Sequence, residues 1–269
     1  MLTFAEKISI LCFAASYGVA FALEVWHLLR PRPILRYIAL GFGFAGLLAH
    51  VVYLPMQAVP LGAPKGSMLL LALILAVFYV GEAIHHQRVA WAIFVLPLVL
   101  GLIGLALFVP GETDSSATGW QAFWGMTHGT LLILAAVGVS VGFIASIMYL
   151  VQLRRLQAKL SPNQGMPLFS LERLEEMNRR AILWSFPLLT AGLLSGFALQ
   201  AYQGILGQGW DNPRILSLVG LWLVVAILLF LRYRVHVRGR QLAIMTMIAF
   251  AILVVALVFS HPSFAGGEP

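Results

Sequence analysis

Acidic side chains and thiols are scarce in this sequence: ten Asp and Glu and one cysteine in 269 residues. With Cys12 alone there is no disulfide framework, no cysteine-rich metal site and no thiol pair for redox exchange. No CxxCH occurs, so the chain is not itself a c-type cytochrome. No Walker-type loop, convincing repeat or long disordered segment is present. No Ser, Cys or Lys stands beside an evident base, and no Glu/Asp/His set has zinc or di-iron spacing, which argues against a hydrolase. Charged residues of both signs make up only 10% of the chain. That is too few to cover an ordinary soluble surface.

Hydrophobic residues account for 61% of the chain, and the mean hydropathy is +0.92. The expected fold class is all-α: a polytopic membrane helix bundle of about eight transmembrane helices in a single integral membrane domain. A span needs about 20 apolar residues, and eight stretches qualify, near 8–29, 36–56, 66–84, 89–109, 128–153, 181–203, 214–231 and 241–260. The first is too long, and lacks the small-residue cleavage pattern, for a typical signal peptide; it reads as a retained span.

The net charge of +7 would suit nucleic acid, but its distribution fits membrane orientation better. Loops after the odd-numbered spans hold all the Lys and Arg except Lys7, Lys65 and Arg214. Basic loops stay on the cytoplasmic side, so both termini are expected outside, with no nucleic-acid partner. The outer connections then carry His128, His261, Trp120, Trp124, Trp210 and Asp211. On the inner side, Ser170 followed by Glu172 suits a helix start, and a short amphipathic helix is expected over 170–180.

The seven histidines sort by this topology. His85, His86 and His236 fall in inner basic loops and read as solvated. His27 lies one turn after Glu24, a spacing that places both on one helix face; the expectation is a hydrogen bond between them that satisfies an intramembrane acid. His50, deep in the second span, suits either a bond to a neighbour or an axial iron ligand. His128 and His261 each stand at an outer helix end. They read either as members of an interfacial aromatic belt or as two imidazoles holding a flat metallomacrocycle walled by Trp120, Trp124 and Trp210; spacing alone favours the belt. Glycines over 41–46 and 192–196 sit in apolar helices, where small residues permit close packing.

The run from His128 through Tyr149-Leu150 to Arg154-Arg155, with Leu168-Phe-Ser170-Leu-Glu172-Arg173, Phe186-Pro187, Thr190-Ala-Gly192, Gly196 and Arg238-Gly239-Arg240, resembles the cytochrome c assembly proteins of the CcsA and HemX type, which are related to CcmC. The resemblance covers about residues 120–262; the four spans of 1–110 match in hydropathy and in His50. It implies an outer-face site for haem b with His128 and His261 as axial ligands beneath a tryptophan-rich loop, of which Trp210-Asp211 is the remnant. It implies haem, membrane lipid, apocytochrome c and a membrane partner protein as partners, as part of a cytochrome c haem lyase system. A bacterial inner membrane is the expected location, with a plastid the alternative.

Two departures from the family pattern stand out. Trp210-Asp211 is followed by Asn212-Pro213-Arg214 where the family has Trp-Asp-Pro-Lys-Glu, and Phe230 stands about where an embedded histidine is expected. These keep two other functions open: a HemX-like non-catalytic haem-sensing regulator or scaffold subunit, and an ion-handling protein using Glu24, His27 and His50.

Overall fold

A computed structural model describes residues 9–57, 63–85, 90–109, 120–159, 166–202, 213–235, 237 and 239–258. Among these there is no strand, and eight α-helices follow one another: α1 Ile10–Leu29, α2 Pro33–Met56, α3 Pro64–His85, α4 Ala92–Phe108, α5 Trp120–Gln157, α6 Leu171–Tyr202, α7 Pro213–Phe230 and α8 Gly239–Val258. A π-helical turn, Leu231–Val235, extends α7. Seven of these helices are long and apolar enough to cross a bilayer, and α4, at 17 residues, is the short one. The protein is a multi-span membrane helix bundle, as the hydropathy predicts.

Two helices are longer than a membrane requires. At 1.5 Å per residue, α5 with 38 residues reaches about 57 Å, against a hydrocarbon core of about 30 Å. It starts at Trp120, two turns before His128, and runs on through Arg154 and Arg155. Helix α6 corrects an expectation. The amphipathic segment over 170–180 is not a separate surface helix but the first turns of the same 32-residue helix that contains Pro187. The reason lies in its buried stripe of Leu174, Asn178, Ile182, Ser185, Leu189, Gly192 and Ser195. That spacing of three and four keeps one face inward without a break. The start itself is as expected: the Arg173 amide donates to Ser170 Oγ at 3.3 Å, a side-chain N-cap.

The chain divides into two compact units, one of Met1–Gly111 with Arg155–Phe169, the other of Glu112–Arg154 with Ser170–Pro269. In the first, α1 packs on α2, α2 on α3, α3 on α4 and α4 back on α1, closing a four-helix ring. Glycines allow the close approaches. A Cβ on Gly43 would lie 2.5 Å from Tyr79 Cε1, and one on Gly46 3.0 Å from Tyr17 Cε1, whereas one on Gly41 would meet nothing within 4 Å. The segment at 166–169 closes one end of this unit. The Ala90 amide donates to the Pro167 carbonyl at 3.0 Å, and Phe169 sets its ring edge-on to the buried Trp91.

In the second unit α7 packs on both α6 and α8. Phe143 of α5 stacks on Phe250 of α8 with centroids 4.0 Å apart. Trp222 of α7 stacks on Phe186 and donates its indole N–H to Thr190 Oγ1 at 2.9 Å. At the centre, the two N–H groups of the Asn178 amide are shared among three acceptors, the Gly142 carbonyl (3.1 Å), Ser146 Oγ (2.7 Å) and Thr246 Oγ1 (3.1 Å). One buried amide therefore ties α5, α6 and α8 together. Such interhelical bonds contribute about 0.6–2 kcal/mol each in a membrane bundle.

Candidate haem site

His128 occupies the third turn of α5, with Trp124 one turn before it and Trp120 one turn before that. Spacing by four aligns all three on one helix face. Trp120, Trp124 and the intervening Phe123 form a compact cluster: Trp120 stacks on Phe123 at 5.7 Å between centroids, and both meet Trp124 edge-on, at 5.8 and 6.1 Å. Trp120 and Phe123 remain exposed, as suits aromatic side chains at a membrane interface.

The imidazole of His128 is held by α6. Its Nδ1 lies 2.7 Å from the Gly192 carbonyl oxygen. A carbonyl can only accept, so Nδ1 carries the hydrogen, and in the neutral ring the lone pair then belongs to Nε2. Ser195 Oγ donates to the same carbonyl at 2.7 Å and stands 3.4 Å from Nδ1. Gly196 completes the cradle: a Cβ there would lie 2.8 Å from Cε1 of the ring. Gly192 likewise has no room for one, since it would come within 2.6 Å of Leu132 Cδ2. A backbone acceptor on one ring nitrogen is the usual arrangement by which a metal-binding histidine is oriented through the other. The sequence does not by itself connect Gly192, Ser195 and Gly196 with His128; their local signal is small residues spaced by three and four along α6.

His261, Trp210 and Asp211, expected at the same site, lie outside the described residues, as do His86 and His236. His50 belongs to the first unit. It is fully buried and stacks on Phe13 with centroids 4.2 Å apart and planes 6° from parallel, with Tyr17 edge-on at 6.2 Å. Neither of its ring nitrogens has a hydrogen-bond partner in the structure, so the bonded-neighbour alternative for His50 is not realised. The Glu24–His27 hydrogen bond is not formed either. His27 Nδ1 instead faces the backbone of Arg32 in the link from α1 to α2, 2.9 Å from its carbonyl oxygen and 3.3 Å from its amide nitrogen.

The family described as "Cytochrome C assembly protein" matches residues 61–264, which takes in α3 to α8 but not His50. Three proteins called "Cytochrome c biogenesis protein CcsA" are similar. The one from Microcystis aeruginosa is 25% identical over 228 residues, covering 66% of this chain and 68% of that protein. That from Thermosynechococcus vestitus is 26% identical over 219 residues, 66% and 67% of the two chains, and that from Chlamydomonas reinhardtii is 27% identical over 135, 49% and 36%. Among solved structures, "Cytochrome c Heme Lyase CcmF" superposes with a TM-score of 0.69 at 14% identity, over 98% of this chain and 48% of CcmF. At that identity the likeness is one of fold. The chain spans about half of CcmF.

Proposed function

The chain belongs to the cytochrome c assembly protein family and has a role in cytochrome c biogenesis; on that premise we propose that it holds haem b at the outer face of a bacterial inner membrane for delivery to apocytochrome c. His128 and His261 are the axial ligands in this reading, Trp120, Trp124 and Trp210 wall the ring, and Asp211 belongs to the same outer loop. The observation that carries it is the 2.7 Å bond from His128 Nδ1 to the Gly192 carbonyl. It selects the tautomer whose Nε2 can ligate iron, and it fixes the ring plane before any ligand arrives. The residues present therefore fit an axial histidine.

When bound, haem supplies the vinyl groups that react with apocytochrome thiols to form thioethers. The chain's own task is to bind and orient. His128 and His261 would hold the iron and tune its reduction potential, and the indoles of Trp120, Trp124 and Trp210 would restrict the plane of the ring. Cys12 is the only thiol, so a partner protein has to hold the apocytochrome reduced. The excess of Arg and Lys in the loops after α1, α5 and α7 supports an orientation with both termini outside. His50, with two unsatisfied nitrogens, is a further candidate ligand inside the first unit.

A second reading is a HemX-like haem-sensing regulator or scaffold. It rests on the short Trp210-Asp211 remnant and on the charged first turns of α6, where Glu176 pairs with Arg179 and Arg180. Absorption spectra of the detergent-purified protein, oxidised and reduced, test the site common to both readings. A Soret band weakened by both His128→Ala and His261→Ala is expected. A wild type that neither retains nor takes up haem would remove the proposal. Retained haem, with unimpaired cytochrome c maturation in a deletion strain, favours the regulator.

A further inference from the structure

Three helices of the first unit end around one cavity. The last turn of α1 supplies His27, the link to α2 supplies Pro31, the start of α2 supplies Pro33, Arg36 and Tyr37, and the last turn of α3 supplies Ile84; together they enclose about 400 Å³. This is within the size range of small-ligand sites. None of these residues takes part in the haem site described above.

Arg36 is held in place there. Its Nη2 donates to the Ala83 carbonyl, in the last turn of α3, at 2.9 Å. A guanidinium has five N–H donors in a planar fork, so this bond fixes the group while leaving most of its donors for a ligand. Glu24 lies within electrostatic range of Arg36 and His27, without an ion pair to either, and offsets part of their positive charge. Arg30 and Arg32, both exposed, flank the lining residue Pro31 in the chain, so the link from α1 to α2 carries an excess of positive charge. The wall, by contrast, is apolar and turned outward: Tyr37 is 69% exposed and Ile84 58%. In a membrane protein such a surface faces acyl chains.

A fixed guanidinium at a helix end, a basic link beside it and an apolar outward wall match an anionic headgroup with its tails attached. We propose that this cavity binds the phosphate of an acidic phospholipid, with Arg36 as the phosphate-binding side chain. A free phosphate would satisfy Arg36 but would leave the Tyr37 and Ile84 wall without a role. A zwitterionic lipid carries the same phosphate but brings its own cation into a segment that already holds Arg30, Arg32 and Arg36. The site depends on membrane location alone and stands whether or not haem is bound at His128.

The test is native mass spectrometry of the purified full chain released from micelles containing phosphatidylglycerol or phosphatidylcholine, with a parallel arm of inorganic phosphate. The expected result is preferential retention of one phosphatidylglycerol, reduced at least fivefold by Arg36→Gln and by Ile84→Trp, which narrows the cavity without removing a polar contact. In phosphatidylcholine micelles Ile84→Trp should melt like the wild type, and Arg36→Gln, which also loses the bond to Ala83, should melt no more than a few degrees lower. Equal retention of the two lipids, or undiminished phosphatidylglycerol retention in Ile84→Trp, overturns the proposal. Inorganic phosphate that displaces phosphatidylglycerol at equal concentration overturns the lipid assignment. Should Arg36→Gln fail to fold, Ile84→Trp still decides.

Discussion

Gly196 and His128 are in contact across α6 and α5 so closely that a Cβ on the glycine would stand 2.8 Å from the ring's Cε1 and 3.1 Å from Nδ1. Glycine inside a helix ordinarily costs about 0.5–1 kcal/mol relative to alanine, so a helical Gly→Ala change is expected to stabilise wherever space allows. Here it does not. Gly196→Ala should push the imidazole off the Gly192 carbonyl, lower the melting temperature and cut haem retention towards that of His128→Ala. Gly129→Ala, one residue from the histidine but with nothing within 4 Å of its added methyl, should keep haem and melt no lower than wild type. Parallel haem assays and melting curves in one detergent check both. Equal haem loss in the two variants would show that the effect is not the contact.

Asn178 donates to three oxygens on two neighbouring helices, while Ser146 and Thr246 each also bond back to a carbonyl of their own helix, Gly142 and Leu242. Asn178→Ala therefore strands no hydroxyl proton and should cost about 1–2 kcal/mol, within the range for interhelical bonds in bundles. Asn178→Asp should cost more than Asn178→Ala, because an ionised carboxylate cannot donate and would face three acceptor oxygens in a buried site. The order of the two in a chemical-denaturation or thermal series is the measurement. Aspartate tolerated better than alanine would mean that the donor role is wrong.

What could be read from the chain alone was whatever is encoded by runs and periods. The eight helices follow from apolar stretches of the length a bilayer requires, and Ser170 marks the start of α6 because an N-cap is a local device. The separate helix over 170–180 was misjudged. Its Glu and Arg residues carry the pattern of a surface helix, while the Leu174, Asn178, Ile182 stripe continues unbroken into the span. Contacts between distant segments were not legible. The i to i+3 spacing of Glu24 and His27 permits a bond but does not compel one, and the Arg32 carbonyl took it. His128 stood out by its place beside Trp120 and Trp124, but nothing near it announces Gly192, 64 residues away. That partner is fixed by the packing of α5 on α6.

His50 is the buried polar group with the least support. Its two ring nitrogens have no partners, and its ring stacks flat on Phe13. An unsatisfied buried donor or acceptor costs about 1–3 kcal/mol, and exchanging it for an apolar group of like shape is neutral or stabilising. His50→Phe keeps a flat ring for the stack while removing both nitrogens. In protein freed of haem it should raise the melting temperature or leave it unchanged. If His50 also ligates iron in the loaded protein, the same variant should alter the haem spectrum, so the two readouts separate packing from ligation. A clear drop in the melting temperature of the haem-free variant would show that the nitrogens have partners after all.

The tightest glycine contact lies deeper, where α5 meets α6. A Cβ on Gly138 would fall 2.0 Å from Ser185 Oγ and 3.0 Å from the Ala181 carbonyl. The hydroxyl is anchored by its own 2.7 Å bond to that carbonyl, so it cannot swing aside without losing a buried hydrogen bond. Gly138→Ala should thus be among the most destabilising single methyl additions in the chain, at about 1–3 kcal/mol for an overpacked site. Ser185→Ala alone removes a hydroxyl bonded only within its own helix and should cost little. Combined with Gly138→Ala it removes the worst overlap but leaves the carbonyl contact, so the double variant should recover part of the loss and not all of it. A double-mutant cycle on melting or denaturation reads this directly, with a favourable coupling energy of about 0.5–3 kcal/mol expected for residues in contact. Strict additivity would mean that α5 and α6 separate at this point to admit the methyl group, and that the close approach at Gly138 is not what holds the two helices in register.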